Sequence, residues 1–336
     1  VDFFPEGGEL VSGLESVVAF KAINKSGFGI PVEGKVFDSK NNAVAGLVTR
    51  YDGMGTFRLT PERGEKYTAV IILADKEYRF PLPGQLDHGI VVRVENRTAE
   101  FGVHIASSRP PTNDQTAREI LIAGQVRGRV YYQEIVDPSE EQVSLSIPKN
   151  LFPAGIVQFT FFSGRVVPLA ERLVFINPGD LMRISMQAYD TLADVDQRLL
   201  CLSLFTGDRY HKPAVSDLSV SMLYHDKDRG TKPDNILTHL FLTSDLRGFV
   251  KDPWHYMEQS LKGNPGDMDL LLLTHGWRRF DWTGVLNGKH PRVRFAEEKE
   301  ITVTGVVTSE LFARPLKNCN VQLTVKEAYN DIYTCR

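Results

Sequence analysis

The sequence has few cysteines, no long apolar run and no excess of charge of one sign. Its 336 residues include three cysteines, Cys201, Cys319 and Cys335, without Cys-x-x-Cys spacing, so neither a disulfide framework nor a zinc site is predicted. The longest apolar stretch, around LLLLTHGW, is far shorter than the ~18 residues that a membrane-spanning helix needs. A formal net charge of −3, with both signs interspersed, argues against nucleic acid as the main partner.

Catalytic and metal-binding signatures are missing as well. The segment FPEGG at Phe4–Gly8 lacks the Lys-Ser/Thr of a phosphate-binding loop and is interpreted as a turn, and KSGFG lacks a glycine of the nucleophile elbow. HDKDRG places Asp226 and Asp228 as in a calcium loop, but position twelve is Leu237, which has no ligand oxygen, so we predict a solvated loop. The eight histidines show no metal-binding spacing. We therefore expect no enzyme, no catalytic residue, no cofactor and no metal site.

What the sequence does contain is a succession of short β-type runs separated by Gly, Pro and Asn turns. Residues 2–64 show this best, with no helix-length apolar period between the runs. The turns DGMG and SKNN carry residues that accept positive φ easily. This pattern predicts a mainly β protein of tandem immunoglobulin-like β-sandwich domains, with a partly helical connector near the C-terminus; the resemblance described below makes these domains macroglobulin-like.

Five segments follow from the same punctuation. The sequence predicts two sandwiches, a third sandwich with a helical segment, a helical connector and an incomplete β module; their ranges are 1–83, 84–177, 178–262, 263–300 and 301–336. In the helical part, Asn or Asp near residue 235 is the expected N-cap of the first helix, and Asp267 that of the apolar run DLLLL. Because the chain opens inside a strand-like motif, we expect it to derive from a longer precursor.

The residues around the cysteines predict whether each is buried or paired. Cys201 lies in the strand-like run RLLCLSLF and is expected to be buried. A turn near Ala328–Asp331 would place Cys335 opposite Thr324, so a Cys319–Cys335 disulfide is disfavoured but left open.

One cluster of side chains could dock a partner. It consists of Trp and Arg residues, which contribute much of the energy at interfaces, together with a histidine and a phenylalanine: His275, Trp277, Arg278, Arg279, Phe280 and Trp282. The alternative is that the tryptophans hold the connector against its neighbours within the chain. Exposed Trp254 and Tyr256 would add to a binding surface. Glu171 and Arg172 are interpreted as a structural ion pair or hydrogen-bond anchor within a strand.

The segments DFFPEGGELVSGLESVVAFKA, GMGTFRLTPERGEKYTA and PLAERLVFIN resemble the macroglobulin-type region of large Bacteroidetes envelope proteins. DLLLLTHGWRRFDW resembles a later part of proteins of that family, and ITVTGVVTSELFARPLKNCNVQL resembles the start of their carboxypeptidase-regulatory-like module. In members of the family, this module is followed by a domain similar to the plug of TonB-dependent receptors.

The resemblance implies an exported, non-enzymatic scaffold or interaction protein of the periplasm or outer-membrane surface, with a protein or neighbouring domains of the precursor as partner and a link to TonB-dependent uptake. A macroglobulin-like protease inhibitor is an alternative that the resemblance also implies, although the Cys-Gly-Glu-Gln run of the thioester is missing from the sequence. A peptide- or glycan-binding module that uses sandwich loops or an edge strand is the other alternative.

Overall fold

The computed structural model describes residues 1–73, 76–108, 114, 118–138, 142–177, 179, 181–194, 197–208, 210–220, 234–275, 282–289, 306–309, 314–315, 321–324 and 332–335. The chain divides into two compact units, Val1–Gly288 and Lys289–Arg336. None of the helices in the described ranges is long and apolar enough to cross a membrane.

The first unit begins with a β-sandwich. Its strands are β1 (Asp2–Pro5), β2 (Leu10–Val11), β3 (Ser16–Lys21), β4 (Glu33–Phe37), β5 (Ala43–Val48), β6 (Met54–Leu59), β7 (Thr68–Leu73) and β8 (Lys76–Pro81). One sheet has the strand order β1-β3-β6 and the other β5-β4-β7-β8. The short β2 lies apart from both and pairs in parallel with β9 (Gln85–Leu86).

A second sandwich follows directly. Its strands are β10 (Ile90–Asn96), β11 (Glu100–Ser107), β12 (Ile120–Val126), β13 (Arg129–Val136), β14 (Gln142–Pro148), β15 (Gly155–Ser163) and β16 (Pro168–Ile176). The sheets have the orders β10-β11-β14 and β13-β12-β15-β16. Once β2 is set aside, the seven strands of each sandwich are therefore connected in the same order. The mainly β, tandem-sandwich fold class predicted from the sequence is confirmed.

A β-hairpin comes next in the chain. Strands β17 (Arg183–Asp194) and β18 (Gln197–Gly207) pair antiparallel, and in the described part of the chain they form a sheet of their own. Cys201 on β18 is exposed, so the prediction that it is buried was wrong. The strand-like sequence around Cys201 does form a strand, but a two-stranded sheet leaves more side chains in solvent than a packed sandwich does.

Four helices complete the first unit as described: α1 (Ile236–Phe241), α2 (Pro253–Leu261), α3 (Gly266–Thr274) and α4 (Trp282–Leu286). Asn235 caps α1, as predicted, and accepts from the backbone N–H groups of Leu237 and Thr238. Asp267 does not cap α3, because that helix starts at Gly266 with Pro265 as its N-cap. The Asp267 carboxylate instead contacts Arg50 and His255.

The second unit is described for a few residues only. β19 (Val321–Thr324) pairs antiparallel with β20 (Ile332–Cys335). Cys335 lies opposite Val321 rather than Thr324, so the predicted register was wrong: β19 ends at Thr324 and β20 begins at Ile332, which makes the connection longer than the predicted turn. Cys319 lies outside the described residues, so the disfavoured Cys319–Cys335 disulfide stays open, and the segment boundaries stay a prediction.

Three hydrophobic cores stabilise the first unit. Each sandwich has its own core between its two sheets, with Phe20 in the first and Phe159 in the second fully buried. The third core joins the sandwiches to the helices and contains residues from all three parts: Ala19, Met54, Ile156, Leu173, Phe175, Leu242, Leu246, Val250, Tyr256, Met257, Met268, Leu270, Leu271 and Leu272. This shared core connects the two sandwiches with helices α1–α3 inside one compact unit.

Candidate functional site

Of the predicted docking cluster, the structure describes only the two ends. Trp277, Arg278, Arg279 and Phe280 lie outside the described residues. Trp282 begins α4, and its half-buried indole donates a hydrogen bond from Nε1 to Thr160 Oγ1 at 3.1 Å. The same ring packs edge-to-face on Phe162, with 5.1 Å between centroids. Trp282 thus contacts β15 of the second sandwich, and docking by this cluster stays a prediction.

His275, at the other end of the cluster, contacts the first sandwich. Lys21 on β3 donates from Nζ to His275 Nε2 at 3.1 Å. Burial, together with the positive charge of Lys21, lowers the pKa of His275 to about 4. Burial also lowers the pKa of Lys21, against the opposing effect of Asp52. His275 is therefore a neutral acceptor near neutral pH and helps to join α3 to β3.

The aromatic residues considered for a binding surface lie mainly inside the molecule. Tyr256 is fully buried in the shared core, and Trp254 is half-buried against it. The Tyr51 ring stacks on His255 with 4.0 Å between centroids, and His255 Nε2 is 3.0 Å from Asp267 Oδ2. Tyr256 therefore adds nothing to an exposed binding surface, because α2 turns this side chain toward the first sandwich.

An ionic cluster around the buried Glu6 and Arg172 joins the sandwiches and α3. We call Glu6, Gly7, Arg172 and Asp269 the clasp. Glu6 follows β1 of the first sandwich, yet its Oε1 accepts from the Val94 backbone N–H at 3.1 Å and from Arg172 Nε at 2.8 Å. Val94 and Arg172 lie on β10 and β16, the adjoining edge strands of the second sandwich. Glu6 thus closes an edge of the second sandwich with a side chain from the first.

Arg172 extends the clasp to the helices. Its Nη2 donates to Asp269 Oδ1 of α3 at 2.7 Å, and Nη1 donates to the Leu173 carbonyl oxygen. Burial alone would lower the pKa of Arg172, but Asp269 and Glu6 outweigh that effect and raise the pKa above its ordinary value. Arg172 is 3% exposed and Glu6 5%, so removal of one partner would leave a buried charge unpaired.

The backbone at Gly7 adds a further connection. Gly7 forms an isolated antiparallel bridge with Glu171, whose N–H donates to the Gly7 carbonyl oxygen at 3.1 Å. Gly7 has φ of +88°, which glycine adopts without strain, and a Cβ there would touch Ala170 and Val92. FPEGG is thus a turn, as predicted, and it docks on the edge strand β16.

Of the two interpretations of Glu171 and Arg172, the mutual ion pair was wrong and the hydrogen-bond anchor fits the structure. Arg172 is a structural anchor, but its acidic partners are Glu6 and Asp269, which lie far away in the sequence. Glu171 faces the other way along β16 and accepts from Gln158 Nε2 at 2.8 Å. Adjacent strand residues point to opposite faces, so neighbours such as these rarely pair. Arg172 in an apolar strand was a usable signal, whereas no sequence pattern marked Glu6.

A cavity lies at the end of the second sandwich. This sandwich-end cleft has a volume of about 860 Å³ and is bordered by the β10–β11 and β14–β15 loops, the segment after β16, and helices α1 and α2. Amide, cationic and apolar side chains line it, including Asn96, Arg97, Lys149, Asn177 and Phe241. Its size is that of ordinary ligand pockets.

The acidic side chains of the described residues do not assemble into a metal site. Within the described ranges, no group of three or more His, Cys, Asp or Glu side chains is placed to hold a metal ion. Glu6 and Asp269, the two acids of the clasp, both form ion pairs with Arg172. What the site can do is hold three structural elements together.

No protein-family model and no curated protein matches the chain. Among solved structures it is similar to alpha-2-macroglobulin of E. coli in its native conformation, with 9% identity and a TM-score of 0.19 over 62% of this chain. The chain spans one fifth (20%) of the length of that macroglobulin. It is also similar to the human OSCAR ligand-binding domain, with 12% identity and a TM-score of 0.19 over 52% of this chain and 97% of that domain. At these values neither likeness decides a function.

Proposed function

We propose that the chain is a non-enzymatic scaffold that holds two β-sandwiches in one fixed mutual orientation and so presents neighbouring domains or partners. The observation that supports this is the clasp, in which the buried Arg172 connects the two sandwiches and α3 through Glu6 and Asp269. Flexibly linked domains rarely share a buried ion cluster or a common hydrophobic core. The shared core around Leu271 and Tyr256 supports the same conclusion.

The test is a distance measurement between the sandwiches. Spin labels would be attached at exposed Lys76 on β8 and Gln142 on β14, as Lys76→Cys and Gln142→Cys in a background with the native cysteines changed to serine. A fixed scaffold gives one narrow distance distribution. A broad or multimodal distribution in the otherwise unaltered chain would refute the proposal.

We propose further that this scaffold is exported to the bacterial periplasm or outer-membrane surface and is connected with TonB-dependent uptake. The support is the resemblance of its segments to envelope proteins of the Bacteroidetes. Fractionation of cells that express the protein from its full gene would test this. Recovery in the cytoplasmic fraction alone would contradict export, and unchanged uptake of TonB-dependent substrates after gene deletion would contradict the connection with uptake.

Two alternatives make different predictions. A macroglobulin-like inhibitor would slow the cleavage of a protein substrate by a protease in a dose-dependent manner, whereas the scaffold would not. A peptide- or glycan-binding module would need a recognition site, and the sandwich-end cleft is the described feature that favours it.

A further inference from the structure

Asn96 lines the sandwich-end cleft and has a buried side-chain oxygen without a described hydrogen-bond donor. Asn96 donates from Nδ2 to the Phe175 carbonyl oxygen at 2.9 Å, which fixes the amide so that Oδ1 is the remaining atom. That Oδ1 is buried, and no described residue donates to it. A buried acceptor without a donor costs about 1–3 kcal/mol. Because Oδ1 has almost no accessible surface, it lies behind the wall of the cleft, and the Asn96 amide serves to fix that wall to β16.

The cleft also contains a cation without an acidic partner. Lys149 Nζ donates to the carbonyl oxygens of Arg97 and Thr98 and lies 5.2 Å from the centre of the Phe101 ring. Burial lowers the pKa of Lys149, and no described carboxylate opposes that effect. The neighbouring Arg97, in contrast, is paired with Glu95 and Glu100 at 3.0 and 3.2 Å. Lys149 is thus the positive charge of the cleft that remains for an anionic ligand.

The rest of the lining is apolar and held in place. Pro153, Ile176, Leu181 and Phe241 provide apolar surface. Asn177 connects that surface to α2, because its Nδ2 donates to the Ser260 carbonyl oxygen at 2.8 Å and its Oδ1 accepts from Ser260 Oγ at 2.7 Å. A cleft with a few fixed polar groups among apolar side chains is typical of a pre-formed ligand site.

We propose that the sandwich-end cleft binds the C-terminal end of a peptide, with its carboxylate at Lys149 and an apolar side chain against Pro153 and Phe241. An acidic glycan would also meet Lys149, but the apolar side of the cleft would leave its hydroxyl groups without partners. Capture of a terminal carboxylate is a known mode of peptide recognition. The inference is independent of the scaffold proposal, since the cleft lies within the second sandwich and its adjoining helices.

The experiment uses two pools of N-acetylated pentapeptides that end in Leu or Phe. One pool has free carboxylates and the other is C-terminally amidated. Binding to the whole chain is followed by NMR through the side-chain amides of Asn96 and Asn177. We expect the free-acid pool to shift these resonances at a concentration at least tenfold lower than the amide pool requires.

Charge variants complete the test. Lys149→Gln should weaken binding of the free-acid pool about tenfold and leave the amide pool unchanged, while the control Lys40→Gln, at an exposed turn of the first sandwich, should change neither. Equal binding of acids and amides by the unaltered chain would overturn the proposal, and this comparison needs no variant to fold. Shifts produced by oligogalacturonate but not by the peptides would overturn it in favour of an acidic glycan.

Discussion

The two sandwiches share one strand order but meet the helices in different ways. The first sandwich contacts α3 with the outer face of its three-stranded sheet, through β1, β3 and β6. The second contacts α3 and α1 through β16 and β15, at one side of its four-stranded sheet. The strand order therefore does not determine which surface of a sandwich becomes an interface.

Side-chain alternation explains how both arrangements arise. In β3, Val18 and Phe20 belong to the core of the first sandwich, whereas Ala19 belongs to the core shared with the helices. In β16, Val174 belongs to the core of the second sandwich and Leu173 to the shared core. A strand that is apolar on both faces can serve two cores, because successive side chains point to opposite sides.

The largest effect is expected where the two sandwiches meet directly. Arg172→Met leaves the Glu6 carboxylate buried without its cation, which should lower the free energy of unfolding by about 3–5 kcal/mol. Urea denaturation of the variant measures this. The matched control is Arg58→Met, which removes the exposed pair with Glu15 and should cost no more than about 1 kcal/mol.

A second variant separates lost charge pairing from lost packing. Glu6→Gln combined with Arg172→Met removes the unpaired charge, so the double variant should be more stable than Arg172→Met alone. Equal losses from Arg172→Met and Arg58→Met would show that the clasp does not join the sandwiches energetically.

The sandwiches could be predicted from the sequence because their signals are local. Alternating strands such as TAVIIL and turns such as DGMG appear where expected, and Asp52 and Gly53 do adopt positive φ. The N-cap of α3 is Pro265, two residues before the predicted Asp267. The Asp267 carboxylate forms a tertiary contact with Arg50 instead of capping the helix. Tertiary contacts of this kind override local preference.

The candidate sites were harder to predict because they join residues that are distant in the sequence. Glu6 and Arg172 are 166 positions apart, and only the fold brings them together. The sandwich-end cleft likewise combines Asn96, Lys149 and Phe241 from three separate segments. The sequence drew attention to Trp282, which contacts β15, but it had no signal for Asn96.

A smaller effect should mark the contact between the first sandwich and α3. The pKa of His275 falls from its ordinary 6.5 to about 4 in the folded chain, so the unfolded chain binds a proton at this residue more tightly and acid destabilises the fold. This contribution is complete above pH 6.5 and declines as the pH falls toward 4. Between pH 7 and 4.5 the unaltered chain should lose about 2 kcal/mol more unfolding free energy than His275→Gln.

Denaturation curves at both pH values test this, and the exposed His88→Gln serves as the control. Lys21 and Asp52 remain in both proteins compared, so their titration cancels to first order. Identical pH profiles for the unaltered chain and His275→Gln would show that His275 is not held neutral between β3 and α3.

The smallest effect is expected where the second sandwich meets α4. Trp282→Phe keeps an aromatic ring near Phe162 but removes the Nε1–H donor to Thr160, which should cost about 0.5–1.5 kcal/mol in urea denaturation. In a Thr160→Val background the same change should cost less, since the acceptor is already gone. A full cost in both backgrounds would show that the indole contributes through packing alone. If Trp282→Phe keeps its stability but no longer binds a partner, Trp282 is a docking residue. Its contact with β15 would then have no role in joining α4 to the second sandwich.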